Sequence, residues 1–93
     1  NNNRIIDITD AAIGTVNHVM PIVREIIHLA LQKFAVSMVC VHNHPSANIT
    51  PSIQDKKFTK ELSAAGKLME LKLIDHIIIG GNKYYSFSDE GIL

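Results

Sequence analysis

The stretch Ser37 to Val41 constrains the fold more than any other part of the chain. It is apolar from Met38 onward, carries two valines and stops abruptly at the polar segment His42-Asn43-His44-Pro45. A run this short, without polar alternation, suits a central strand buried on both faces. Such a strand needs cover, and its neighbours in sequence provide it. Upstream, Pro21 is placed for the first turn of a helix. Ile22, Val23, Ile26, Ile27, Ala30 and Phe34 then recur at helical spacing, with Arg24, Glu25, His28 and Gln32 on the other side. Downstream, a long helix is expected from Ser52, with Phe58, Leu62, Ala65 and Met69 as its apolar stripe, widened by Leu68 and Leu71. Lys56, Lys57, Lys60, Lys67 and Glu70 fall outside that stripe, and Gly66 weakens the helix slightly.

The remaining segments complete an α/β pattern. Ile6 and Ile8 alternate with Asp7 and Thr9 as in a half-buried strand, and Thr15 to Val19 reads as a second short extended stretch. Ile74 to Ile79 reads as a strand, Gly80-Gly81-Asn82 as a tight turn and Lys83 to Phe87 as the returning strand. A sheet built from crossovers and closed by a hairpin is mixed, so the expected fold is an α/β sandwich. With 93 residues, 46% of them hydrophobic, the chain is expected to be a single domain, 1–93, around one core.

Nine basic and nine acidic residues give a formal net charge of zero, so no global field draws the chain to nucleic acid or an anionic membrane. The single cysteine, Cys40, cannot form an internal disulfide, which fits a reducing compartment, and the cytoplasm is expected. No stretch has the length and apolarity to cross a bilayer. The chain opens on Asn1 and enters a strand-like run within a few residues, so it reads as an excerpt from a longer protein.

The chemistry lies where the central strand ends and the long helix begins, the usual location of a site in an open α/β sheet. His42 and His44 are two residues apart, and strand alternation sends both imidazoles to one face. Zinc accepts imidazole nitrogen and carboxylate oxygen, and a catalytic site combines three protein ligands with an open position. Asp55 is the candidate third ligand, because Pro51-Ser52-Ile53-Gln54-Asp55 reads as a helix start capped by Ser52. Taken singly, a histidine near a strand end is most often a satisfied polar residue, and Ser followed by Asp three later is a helix cap. It is the combination of the two histidines, a proline-bounded loop and the acidic helix start that favours a metal.

His42-Asn43-His44-Pro45, six residues, Ser52, two residues and Asp55 resemble the JAMM (MPN+) metalloprotease motif. The segments around it, Pro21 with Arg24-Glu25-Ile26, Thr59 and Leu62, Leu73 to Gly80 and Tyr85-Ser86-Phe87, are similar to the RadC family of bacterial proteins. Ala47-Asn48 departs from the glycine and polar residue usual there, keeping the polar residue and losing the glycine's freedom. The resemblance implies a JAMM-type three-layer α/β fold related to cytidine deaminases. It implies zinc on His42, His44 and Asp55, with Ser52 stabilising an oxyanion, and hydrolysis of an amide or isopeptide bond in a peptide substrate. It also implies that the family's first strand and its catalytic glutamate lie ahead of this chain. "DNA repair protein" is a name often attached to the family.

Other residues weigh less. Glu25 is the only glutamate on another element available as a base, and it lies on a polar helix face. His76 reads as a buried histidine bonded to backbone before it reads as support for a ligand, Cys40 as a core residue before an extra ligand, and His18 and His28 carry no role. A zinc nucleoside deaminase is disfavoured, because its Pro-Cys-x-x-Cys helix start is missing. Lys56, Lys57 and Lys60 could hold phosphate in a non-catalytic nucleic-acid-associated domain, although such a run is more often a solvated face. A scaffold pairing into a homodimer through an exposed sheet edge is the remaining alternative.

Overall fold

A computed structural model describes residues 19–93, with side chains from Val23 onward. The expected strand near Ile6 and Ile8, most of the stretch 15–19, and His18 lie outside the described residues. The elements are α1 (Val19–Gln32), β1 (Ser37–Asn43), α2 (Ile53–Leu68), β2 (Lys72–Gly80) and β3 (Lys83–Ser86). The fold is α/β with a mixed sheet in the order β1-β2-β3. β1 and β2 run parallel, joined through α2, and β2 and β3 form an antiparallel hairpin. Gly81, at a φ of 60°, is the first of two residues in the hairpin turn, where a positive φ calls for glycine.

Both helices pack on the sheet face that presents Met38, Cys40 and Leu73. Val23 of α1, Leu62 of α2 and Leu73 of β2 form the buried centre, with Ile26, Ile27, Phe58 and Ala65 around them. Burying side chains of this size stabilises the fold by roughly 1.5–3 kcal/mol each relative to exposure. The opposite face of β1 is open: Val39 is 51% and Val41 62% exposed. The expectation of a central strand covered on both faces is therefore corrected. Among the described residues β1 has β2 as its only neighbour, and the two helices that follow and precede it share one side.

The apolar stripe of α2 holds at Phe58, Leu62 and Ala65 and fails at its C-terminal end. Its buried residues are Asp55, Thr59, Leu62 and Gly66, whereas Leu68 is 85% exposed and Met69 50%. The helix stops one turn earlier than its periodicity, with Met69 at the C-cap, and the chain then reverses. Leu71 N–H donates to Gly66 O at 2.8 Å and Glu70 N–H to Lys67 O at 3.1 Å, so Glu70 takes a left-handed conformation at a φ of 53°. α1 ends in the same motif: Ala35 N–H donates to Ala30 O, Phe34 N–H donates to Leu31 O, and Phe34 has a φ of 55°.

Phe34, expected on the core face of the first helix, is instead 89% exposed in a conformation that disfavours any residue with a Cβ. Phe34→Gly is accordingly expected to raise stability by about 1 kcal/mol, read as a higher urea midpoint with an unchanged slope. A lower midpoint would mean that the exposed ring is held by contacts that outweigh the backbone strain.

Candidate metal centre

β1 alternation brings Met38, Cys40 and His42 to the helix-covered face, and His44 follows in the same phase. The strand ladder extends one step beyond β1, because His44 N–H donates to Ile79 O at 2.8 Å. The loop after Pro45 then folds back over the end of β2. Gly80 makes room for it: a Cβ there would lie 2.7 Å from Ser46 O and 3.0 Å from Ile49 Cγ2. Inside the loop, Asn48 N–H donates to Ser46 Oγ, and Asn48 Oδ1 accepts from Thr50 N–H at 3.0 Å. This turn aims the Asn48 carbonyl at the His44 ring.

Ser52 sits in extended conformation at the N-cap of α2 and closes a reciprocal capping box with Asp55. Its Oγ accepts from Asp55 N–H at 3.0 Å, and its own N–H donates to Asp55 Oδ2 at 2.8 Å. The cap uses an oxygen lone pair of Ser52 and no hydroxyl hydrogen. The same box pins the Asp55 carboxylate at the helix start, where a negative charge is favoured by the backbone dipoles. Burial opposes that charge. The Ser52 N–H and hydroxyl, the nearby His42 and the His44 ring together outweigh it, holding the carboxyl below its ordinary range.

The three expected ligands converge. His42 Nδ1 lies 3.2 Å from Asp55 Oδ1, and His44 Nε2 lies 3.2 Å from Asp55 Oδ2. The two imidazoles meet edge to face, 4.8 Å between centres. One ligand atom from each residue falls within 4.8 Å of the others, and no second such group of histidine, cysteine and acidic residues occurs among the described residues. Zinc bonds of about 2.0–2.1 Å in a tetrahedron separate neighbouring ligand atoms by about 3.3 Å, close to both histidine–aspartate distances.

The hydrogen-bond pattern at His44 bears on what fills the centre. Its Nδ1 lies 2.9 Å from Asn48 O, and because a carbonyl only accepts, Nδ1 carries the hydrogen. A neutral ring then turns a bare Nε2 toward Asp55, so that two acceptors face each other at 3.2 Å. A proton shared between the two atoms or a cation between them reconciles the pair. An imidazole whose far nitrogen donates to a backbone carbonyl is the usual setting of a metal-binding histidine. Solvent reaches the centre from one side, since 42% of the His42 side chain is exposed against 9% for Asp55.

Beneath these three residues lies a layer that sequence reasoning reached only in part. Thr59, one helical turn after Asp55, donates its hydroxyl hydrogen to Asp55 O at 2.8 Å. Its oxygen also lies 2.6 Å from His76 Nδ1, and since the hydroxyl has one hydrogen, His76 is the donor in that pair. His76 is 1% exposed and stacks between Phe87, at 4.8 Å, and His42, at 5.9 Å. Its ring therefore bonds a side chain rather than the backbone, which corrects the expected backbone bond, and it lies behind the His42 ring. The spacing Asp55–Thr59 was the available signal for Thr59, since residues four apart share a helix face. Cys40 packs against the core with its thiol pushed up by burial to about 11, so it remains a neutral core residue outside the ligand group. Glu25 is exposed on α1.

Burial lowers the His76 pKa from 6.5 to about 4, reinforced by the nearby His42 and partly offset by Asp55 and Asp75. The fold thus favours the neutral ring, and as pH falls below 6.5 the unfolded chain gains a proton that the folded chain refuses. In the presence of a chelator, unfolding free energy is expected to fall by about 2 kcal/mol between pH 7 and pH 5 on account of this residue. Urea titrations of the wild type and of His76→Gln across that range check it, and equal slopes in the two proteins would contradict it.

Comparison with known proteins agrees with this geometry. A family model described as a RadC-like JAB domain matches residues 1–92. A UPF0758 protein of Flavobacterium johnsoniae is 39% identical over 92 residues, covering 99% of this chain and 40% of that protein. A UPF0758 protein of Chlorobium chlorochromatii is 41% identical over 91 residues, or 98% of this chain and 41% of that protein. A third, from Listeria monocytogenes, is 44% identical over 89 residues, or 96% of this chain and 40% of its own length. The chain thus spans about two fifths of the length of the curated relatives it matches. With the His-x-His strand end and the capped aspartate in place, the chain belongs to the RadC-like JAB domain family.

Proposed function

We propose that the chain is the zinc-holding part of a metallopeptidase-like hydrolase acting on amide or isopeptide bonds. The observation that carries this reading is His44, whose ring has an acceptor against each nitrogen, one of them a pinned carboxylate. His42, His44 and Asp55 would hold the ion, and the exposed side of His42 leaves room for water or a substrate carbonyl. When bound, zinc would supply Lewis acidity, lowering the pKa of water and polarising the carbonyl to be attacked.

The chain's own groups have defined tasks in that chemistry. Asp55 and the Asn48 carbonyl orient the His44 ring. His76 and Phe87 support His42 from behind. Ser52 meets the Asp55 N–H with an oxygen lone pair, so its hydroxyl hydrogen, which faces the Asp55 carboxylate, can turn to an oxyanion forming beside it. The base role is not filled by Glu61, which lies six residues beyond Asp55 on α2, about 9 Å along the axis.

Metal analysis by inductively coupled plasma mass spectrometry, after dialysis without chelator, tests the reading. About one zinc per chain is expected in the wild type, with at least a 100-fold weaker affinity in His44→Ala. Equal zinc in both proteins would remove the site from His44, and no zinc in either would remove it from the protein.

A further inference from the structure

A groove of about 740 Å³ runs along α2, within the size range of ligand clefts. Lys56, Lys60 and Lys67 stand along it at helical spacing, and Leu68, Ile92 and Leu93 supply apolar lining. Phe87 and Thr59 form its inner wall, and these residues also contact His76 beneath the ligands. The groove therefore lies behind the group of His42, His44 and Asp55, none of which lines it, with Thr59, His76 and Phe87 between.

No acidic residue lines the groove, and none of the three lysines forms an ion pair among the described residues. Three like charges along one apolar cleft make a local positive field. From Lys56 to Lys67 the helix rises about 16 Å, the span of about five residues of extended peptide. An occupant must match both the positive row and the apolar lining. Single-stranded nucleic acid matches the charge but stacks its bases on exposed aromatic faces, and the one aromatic ring here, Phe87, is 1% exposed with a face already covered by His76.

We propose that this groove binds an extended peptide segment in which acidic residues alternate with aliphatic ones, as a docking site set apart from the metal centre. The binding does not rest on the hydrolase reading above.

Fluorescence polarisation with a labelled peptide of alternating Glu and Leu, and with its Lys-Leu counterpart, tests the proposal on the wild type, Lys60→Glu/Lys67→Glu, Lys57→Glu and His44→Ala. Lys57 lies on the same helix outside the groove. The acidic peptide is expected to bind, to weaken about tenfold or more in the double variant, and to be unchanged in the other two, while the basic peptide does not bind. Absence of binding to the wild type, equal binding of both peptides, or an equal loss in Lys57→Glu would overturn the groove. A labelled oligothymidylate displaced by the double variant in place of the peptide would reassign it to nucleic acid. Retained binding in His44→Ala alongside lost zinc separates the groove from the metal: if zinc analysis fails in the wild type while the groove assay succeeds, the hydrolase reading falls and the peptide site stands.

Discussion

Asp55→Ala is expected to erase the stabilisation that zinc, held as proposed, would give the wild type. A ligand present at 100 times its dissociation constant and bound only by the folded state adds about 2.7 kcal/mol. For a chain of 93 residues that corresponds to a rise in melting temperature of about 10–20 °C over the chelated protein. In Asp55→Ala the rise should vanish, and the chelated variant should itself melt lower, because the same carboxylate accepts the Ser52 N–H in the capping box. That second loss is expected at about 1 kcal/mol. Asp55→Asn separates the two: the amide oxygen can still accept from Ser52 N–H, so the chelated stability should largely return while the zinc increment stays lost. Thermal melts of the three proteins with zinc and with chelator decide it. A full zinc increment in Asp55→Ala would exclude Asp55 as a ligand.

Gly66→Ala is expected to cost about 3 kcal/mol, at the upper end of what overpacking a tight site does. A Cβ at this position would meet the backbone oxygen of Leu71 well inside contact distance and Met38 Cε at 3.1 Å. Leu71 cannot yield cheaply, since it is 1% exposed and its N–H donates to Gly66 O in the turn that ends α2. A substitution that ordinarily stabilises a helix interior should therefore do the opposite here. The urea midpoint of the variant measures the effect, and a neutral or stabilising result would mean that the turn from Met69 to Leu71 can shift as a unit.

Much of this architecture is legible in the residues themselves. The Ser52 cap and its aspartate, the histidine pair on one strand face and the Gly81 hairpin all depend on contacts within a few positions, where local rules suffice. The convergence of His42, His44 and Asp55 was legible for the same reason, since alternation fixes the facing of the two histidines and the capping box fixes that of the aspartate. What escaped depends on contacts distant in sequence. Periodicity continues through Leu68 and Met69, but it cannot register that a close pass of Leu71 over Gly66 ends the helix there. It also reads Phe34 as the next core position, although the chain has by then turned through a left-handed residue. The burial of His76 is set by Phe87 and His42 closing on both faces of its ring, neither of which lies near it in sequence.

The loop from Pro45 to Pro51 fixes the His44 ring with a main-chain carbonyl, and a main-chain atom cannot be removed by substitution. Genetic robustness follows: at Ala47 and Asn48 side chains may vary while the acceptor persists, which accounts for a loop without a glycine at position 47 still reaching the ring. The same arrangement is brittle to insertion and deletion, because losing a single residue between the two prolines would carry the carbonyl away from His44 and let the ring turn. Information for the orientation of this ring is thus stored in the length of a segment more than in its letters.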